Sequence, residues 1–253
     1  MKKTFLLSCL MLAAMPVMAA YTGHVYVDKN KNGVFDQSEK PLAGIKVSDG
    51  LNVVETAADG SFTLPGHERE RFIFITTPSG YKTFNRHYHK IEKKQSGYDF
   101  GLIPYSGRIR KNGSHRYIHI ADTEIFNTEN HADWVNNVRD YARNEQAAFI
   151  IHTGDICYEK GLKAHIKLMN TENMDCPVFY CIGNHDLVKG KYGEELFESI
   201  YGPVYYSFDA GNVHYVVTPM PGGDHAPGYT SDDVCRWLKN DLAHIRPGTP
   251  VVV

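Results

Sequence analysis

Three short apolar runs each break off at a residue with an oxygen-bearing side chain, and this repetition constrains the fold more than any other feature. Tyr117-Ile118-His119-Ile120-Ala121 runs into Asp122-Thr123-Glu124, and Phe149-Ile150-Ile151-His152 leads to Gly154-Asp155. Val178-Phe179-Tyr180-Cys181-Ile182 leads to Gly183-Asn184-His185-Asp186. Runs of this length read as buried strands. The intervening segments carry helical spacing, with Trp134, Val138, Tyr141 and Ala142 on one face near 131–146 and Leu162, Ile166 and Met169 near 161–172. Strand, helix, strand, helix, strand predicts a parallel α/β sheet, whose strands open their carboxyl ends on one crevice. Asn184 brings a neutral oxygen ligand to that crevice, and His185 a group that gives up a proton near neutral pH. Asp186 is expected to orient the His185 ring.

Beyond the third run, Tyr205-Tyr206-Ser207-Phe208-Asp209 and His214-Tyr215-Val216-Val217-Thr218 flank Ala210-Gly211-Asn212 and predict a hairpin. Ser231-Asp232-Asp233 is a helix start, because acidic groups favour the amino-terminal end of the helix dipole. Val234, Trp237, Leu238, Leu242 and Ile245 mark its buried face, and Pro250 opens another strand.

Residues 21–104 show a different pattern, of alternation and turns with almost no helical period. Gly23-His24-Val25-Tyr26-Val27, Gly44-Ile45-Lys46-Val47, Asn52-Val53-Val54-Glu55-Thr56, Ser61-Phe62-Thr63-Leu64, Phe72-Ile73-Phe74-Ile75-Thr76 and Tyr98-Asp99-Phe100-Gly101-Leu102 predict short strands. Asp49-Gly50 and Asp59-Gly60 predict hairpin turns, which predicts a small β-sandwich. Arg86-His87-Tyr88-His89-Lys90 is read as a solvated loop, and residues 105–114 as a linker. Between the first two strands, Asp28, Asn30, Asn32, Asp36 and Glu39 fall at loop positions one, three, five, nine and twelve, with Gly33 at six. That spacing suits a structural calcium ion. Because strands flank it, the loop resembles that of the B-type repeat domains of bacterial surface adhesins, which implies an immunoglobulin-like, calcium-binding fold.

Residues 1–20 read as a cleavable leader, with Lys2-Lys3, an apolar stretch from Phe5 to Val17, and Ala19-Ala20 for cleavage. A secreted or periplasmic location follows as the expectation. No later stretch is long and apolar enough to span a bilayer. A formal charge of -2 gives no basic surface for nucleic acid, and 42% hydrophobic with 22% charged residues is an ordinary globular composition. With Cys9 in the leader, Cys157, Cys176, Cys181 and Cys235 are too irregularly spaced for a disulfide scaffold, leaving buried thiols or one bridge.

Taken in order, Asp122-Thr123-Glu124, Gly154-Asp155 and Gly183-Asn184-His185-Asp186 resemble the first three motifs of the calcineurin-like metallophosphoesterases. The resemblance covers residues 115–253 and implies two divalent ions, among Mn, Fe, Mg and Zn, that neutralise a phosphate ester's charge. It implies Asp122 on the first metal, Asp155 bridging, Asn184 on the second, and His185 with Asp186 as the catalytic pair. Glu124 stands where the family usually has histidine, and as an oxygen ligand it favours harder ions. The family's later metal-binding histidines are not found by Val253, so the chain is expected to be the front part of a longer enzyme. The expected fold is multidomain: an all-β immunoglobulin-like sandwich followed by the first part of an α/β metallophosphoesterase fold. The expected function is an exported hydrolase of small-molecule or polymeric phosphate mono- or diesters. The alternative is a non-enzymatic surface or carbohydrate-binding protein with a degenerate phosphoesterase domain. Oligomeric state is not legible.

Overall fold

A computed structural model describes residues 20–95, 97–106 and 108–253. The expected leader, apart from Ala20, lies outside the described residues. Among the described residues of 21–104 the regular elements are strands: β1 (Tyr21–Val27), β2 (Lys40–Pro41), β3 (Lys46–Ser48), β4 (Val53–Glu55), β5 (Ser61–Leu64), β6 (Phe72–Ile75), β7 (Tyr81–Thr83), β8 (Tyr88–Lys90) and β9 (Phe100–Pro104). They make two sheets, one ordered β2-β1-β9-β7 with β5 added to β1, the other β4-β3-β6-β8. Val25, Val47, Leu64, Ile73, Ile75 and Leu102 are buried in one cluster, as the alternation requires. The stretch 86–90, expected as a loop, supplies β8. Tyr88 decides this: its ring is buried edge-on to Phe72 at 5.5 Å, which fixes the alternation of the residues around it.

The rest alternates strand and helix: β10 (Tyr117–Ile120), α1 (Ala132–Asn144), β11 (Phe149–His152), α2 (Tyr158–Leu168), β12 (Val178–Tyr180), a single tight turn (Asn184–Asp186), α3 (Glu195–Tyr201), β13 (Tyr206–Ala210), β14 (Val213–Val217), α4 (Ser231–Ala243) and β15 (Val251–Val252). β10, β11 and β12 pair in parallel, with Ile120 beside His152 and His152 beside Tyr180. This level register delivers the three motif segments side by side. Helix α1 turns a different face inward from the one expected. Val135 and Ala142 are buried, whereas Trp134 and Tyr141 are exposed. No helix among the described residues is long and apolar enough to cross a membrane. Cys157, Cys176, Cys181 and Cys235 are free thiols.

The expected linker is tied down, since Arg108 donates to the Ala147 carbonyl at 3.0 Å and Asn212 to the Asn112 carbonyl at 3.1 Å. The two halves also share one core. Phe72, Phe74 and Tyr88 join Phe149, Phe179, Phe208, Tyr215 and Trp237 in a single buried cluster. Within it, Phe179 and Phe208 stack at 3.6 Å and hold the β10–β12 sheet against β13–β14.

A buried polar chain crosses the same junction. The hydroxyls of Thr76 and Ser207 meet at 2.8 Å, and Ser207 donates to Asp241 Oδ1 at 2.9 Å. His214 gives Nε2–H to Asp241 Oδ2 at 2.8 Å and Nδ1–H to Asp209 Oδ1 at 2.6 Å, and Lys46 reaches Asp209 Oδ2 at 3.3 Å. Burial alone would lower the pKa of this imidazole. Its hydrogen bonds to Asp209 and Asp241 and their charges outweigh that and raise it to about 9. A raised folded-state pKa contributes stability that is full below the ordinary histidine value and disappears as pH climbs through about 9. Thermal melts from pH 6 to 10 should therefore show a midpoint that falls from about pH 6.5 and levels off above about 9. His214→Phe should remove that fall and cost about 3–5 kcal/mol, because it leaves the buried Asp241 carboxylate without its cation.

Candidate metal centre

Two glycines decide how the motif segments meet. Gly154 has φ 96°, and a Cβ there would lie 2.4 Å from the Gly183 nitrogen and 2.5 Å from its Cα. A Cβ on Gly183 would fall 2.1 Å from Asp155 Oδ1 and 2.2 Å from the Asp155 nitrogen. The loops after β11 and β12 thus touch backbone to backbone, at an approach that no other residue permits. The loop after β10 joins them through Asp122 N–H, which donates to the Gly154 carbonyl at 3.1 Å. Buried His152 braces the same place, accepting from Gly154 N–H at 3.2 Å and meeting Thr123 Oγ1 at 2.9 Å. Burial pushes its pKa down to about 3, so it stays neutral, with its proton on the nitrogen facing Thr123.

Backbone strain gathers at these turns. Of the eight non-glycine residues with positive φ among those described, five lie here: Asp122 at 53°, Glu124 at 44°, Asp155 at 53°, Cys157 at 79° and Tyr158 at 54°. Each such conformation costs about 1–3 kcal/mol and persists only where its surroundings enforce it.

The expected ligands divide by environment. Asp155 Oδ1 accepts the His185 N–H at 3.1 Å, binding the second segment to the third. Among the described residues, no hydrogen bond engages the side chains of Asp122, Glu124 or Asn184, so their oxygens are free to coordinate. The oxygens of Asp122, Glu124 and Asp155 do not all lie within 4.8 Å of one another. Burial pushes the Cys157 pKa up to about 12, and the charges of Asp186, Glu124, Asp155 and Asp122 all add to the push. Oxygen donors dominate the set, which suits a hard divalent cation.

Asp186 behaves differently from the expectation. It is completely buried, with Oδ1 accepting from Cys157 N–H at 2.8 Å and Oδ2 from Gly183 N–H at 3.0 Å. Burial raises its pKa, with those backbone donors pulling the other way. With both oxygens so engaged, Asp186 braces the loops instead of steering the ring. The carboxylate on His185 is Asp224, whose Oδ2 accepts from Nδ1–H at 2.9 Å. That bond is the main cause of the raised His185 pKa. Asp224 comes from loop 221–228, and its own N–H donates to the Asn184 carbonyl at 3.1 Å. Nothing in the local pattern marks Asp224, because its role arises from how the loop folds back. The exposed Tyr158 ring lies 5.6 Å from the His185 ring, at the mouth of the same crevice.

Two family models match the chain. One, described as calcineurin-like phosphoesterase, matches residues 115–245, slightly more than half of the chain. The chain belongs to the calcineurin-like phosphoesterases. The other, described as the N-terminal region of calcineurin-like phosphoesterase, matches residues 29–104, so this phosphoesterase carries its family's own N-terminal part. No curated protein matches the chain. Calcineurin-like phosphoesterases use divalent metals, in keeping with the oxygen-rich crevice.

Other candidate groups lie in the N-terminal half. Asp28, Asn30, Asn32, Asp36 and Glu39 come together in one loop, where Asn30 and Asn32 donate to Asp36 Oδ2 at 2.8 and 3.1 Å. Asp28 accepts from Gly33 N–H at 2.9 Å and Glu39 from Lys29 N–H at 2.8 Å, and both carboxylates are buried. Among the described residues, the group of His, Cys, Asp or Glu side chains whose ligand atoms do lie within 4.8 Å of one another is Asp49, His67 and Glu70. Their polar atoms already have protein partners: Asp49 accepts from Leu51 N–H, Asn52 N–H and the Asn52 side chain, and Glu70 from Tyr21 and His67 N–H. That group therefore works as a latch between turns without needing an ion. A cavity of about 750 Å³ lies between the β7–β8 region and β12, and no motif residue lines it.

Asp186→Ala should destabilise the fold by about 2–4 kcal/mol, since it leaves two buried N–H groups without acceptors. Asp224→Asn should leave the melting temperature within a degree or two of the parent, because a half-exposed side chain contributes little to stability. Denaturant melts of the two variants check the pair.

Proposed function

We propose that this phosphoesterase is an exported enzyme that hydrolyses phosphate mono- or diesters at a two-metal site formed by Asp122, Glu124, Asp155 and Asn184. The observation that carries the reading is the concentration of strained backbone at three strand ends, where the side chains of Asp122, Glu124 and Asn184 form no hydrogen bond among the described residues. A degenerate, non-enzymatic surface protein would have no reason to keep five strained residues in one place. Divalent ions bound there would neutralise the phosphate's negative charge and lower the pKa of an attacking water.

The chain's own groups supply the rest. Asp155, between the first and third segments, is the carboxylate best placed to serve both ions. Asn184 adds an oxygen without adding charge. Asp224 fixes the His185 Nδ1–H and stabilises the imidazolium, so Nε2–H can donate to the leaving oxygen as the ester bond breaks. Asp186 serves this chemistry indirectly, by keeping the Gly183 and Cys157 turns together.

Export rests on the leader-like residues 1–20, and the immunoglobulin-like character of the N-terminal strands on their adhesin-type loop. That loop is proposed to hold calcium. Its buried Asp28 and Glu39 have N–H partners, yet among the described residues neither forms an ion pair, so a cation would relieve their mutual repulsion.

The test is hydrolysis of aryl phosphate mono- and diesters by the full chain with Mn, Mg or Zn and after chelation. Activity should need metal, and Asp155→Ala and His185→Ala should each lower kcat by about 100-fold or more. Parental turnover in both variants would sink the assignment. For the loop, saturating calcium should raise the melting temperature of the parent and leave that of Asp28→Ala where it was.

A further inference from the structure

Arg71, at the entry to β6, reaches across the junction between the two halves. Its guanidinium meets Glu194 Oε1 at 2.8 Å and Glu198 Oε1 at 2.9 Å, and lies over the Tyr192 ring at 4.5 Å. Both carboxylates are buried, with side chains 0% and 4% exposed. One guanidinium nitrogen, Nη2, makes both contacts while the planar group lies over Tyr192, a stacked arrangement that a lysine ammonium does not reproduce.

Glu194 has a second partner. Its oxygens accept the Gly228 N–H at 3.1 and 2.8 Å, at the end of the loop that carries Asp224. Gly193 N–H grips the same loop at the Ala226 carbonyl, at 2.9 Å. A Cβ on Gly228 would lie 3.0 Å from Arg71 Nη1, Glu194 Oε1 and Tyr192 Cβ alike, so the joint has no slack. Arg71, Glu194, Gly228, Asp224 and His185 thus form a continuous line from the N-terminal sheets to the candidate site.

We propose that Arg71 is a positioning residue: through Glu194 it fixes loop 221–228, and with it the carboxylate that holds the His185 ring. The N-terminal half is then a working part of the site. The effect on turnover rests on the phosphoesterase reading, whereas the effect on the loop does not. Simple adhesion between the halves would change global stability without singling out the loop or coupling to Asp224.

The experiment compares the full chain with Arg71→Lys, Gly228→Ala, Asp224→Asn and the Arg71→Lys/Asp224→Asn double variant. Gly228→Ala disturbs the joint from the loop side and leaves every charge in place. Amide hydrogen exchange reads the loop, and manganese-dependent hydrolysis of an aryl phosphate reads turnover. Arg71→Lys and Gly228→Ala should each speed exchange at the Asp224 and Gly228 amides, with β11 and β14 unchanged, and lower kcat about tenfold at little change in KM. Arg71→Lys should add no further loss in the Asp224→Asn background. Unchanged exchange at those two amides in both variants, or losses from Arg71→Lys and Asp224→Asn that multiply, would overturn the inference. If the parental chain hydrolyses no phosphoester, the phosphoesterase reading falls by itself and the exchange result alone decides the role of Arg71.

Discussion

The contact between Gly154 and Gly183 is the constraint on which the site depends. Parallel pairing brings β10, β11 and β12 to a common level, but level strands alone leave their loops a strand spacing apart. Two adjacent residues without Cβ atoms let the second and third loops close on each other. The Asp155–His185 bond and the Asp186 brace both follow from that closure. The positive φ angles at Asp122, Glu124, Asp155, Cys157 and Tyr158 are its conformational cost, held in place by the sheet behind and the braces around.

Environment separates the acidic groups of this crevice into two kinds. Asp186 is buried and bonded to two backbone donors, so it acts as a structural strut. Asp122 and Glu124 are exposed at the strand end and carry no hydrogen bond among the described residues, the condition expected of groups reserved for a cation. Asp224 belongs to neither kind. It is half-exposed and pairs with an imidazole, which makes it a partner of the proton donor. In a sequence string these acids look alike; only burial and partners distinguish them.

The N-terminal half is joined to the rest more closely than its separate pattern suggests. Phe72, Phe74 and Tyr88 sit in the same core as Phe208 and Trp237, and a buried polar chain runs from Thr76 to His214. Arg71 adds a third link at α3. An apolar cluster fixes the distance between two bodies, whereas directional bonds to buried carboxylates fix their orientation. Together they make a joint able to pass position from one half to the other.

Much of this was already present in the residue pattern. Apolar runs ended by Gly154-Asp155 and Gly183-Asn184-His185-Asp186 determine parallel strands and place oxygen donors at their tips, because strand period and glycine geometry are local properties. The alternation in residues 21–104 likewise determines strands without helices. Local pattern could not decide which face of α1 is buried, that 86–90 forms a strand, or which carboxylate meets His185. Those outcomes depend on what packs opposite: a core wall for Val135 and Ala142, Phe72 for Tyr88, and a returning loop for Asp224. Sequence fixes what each segment can become, and tertiary contacts between residues far apart in the chain select among those options, because burial and hydrogen-bond partners exist only once the chain has folded.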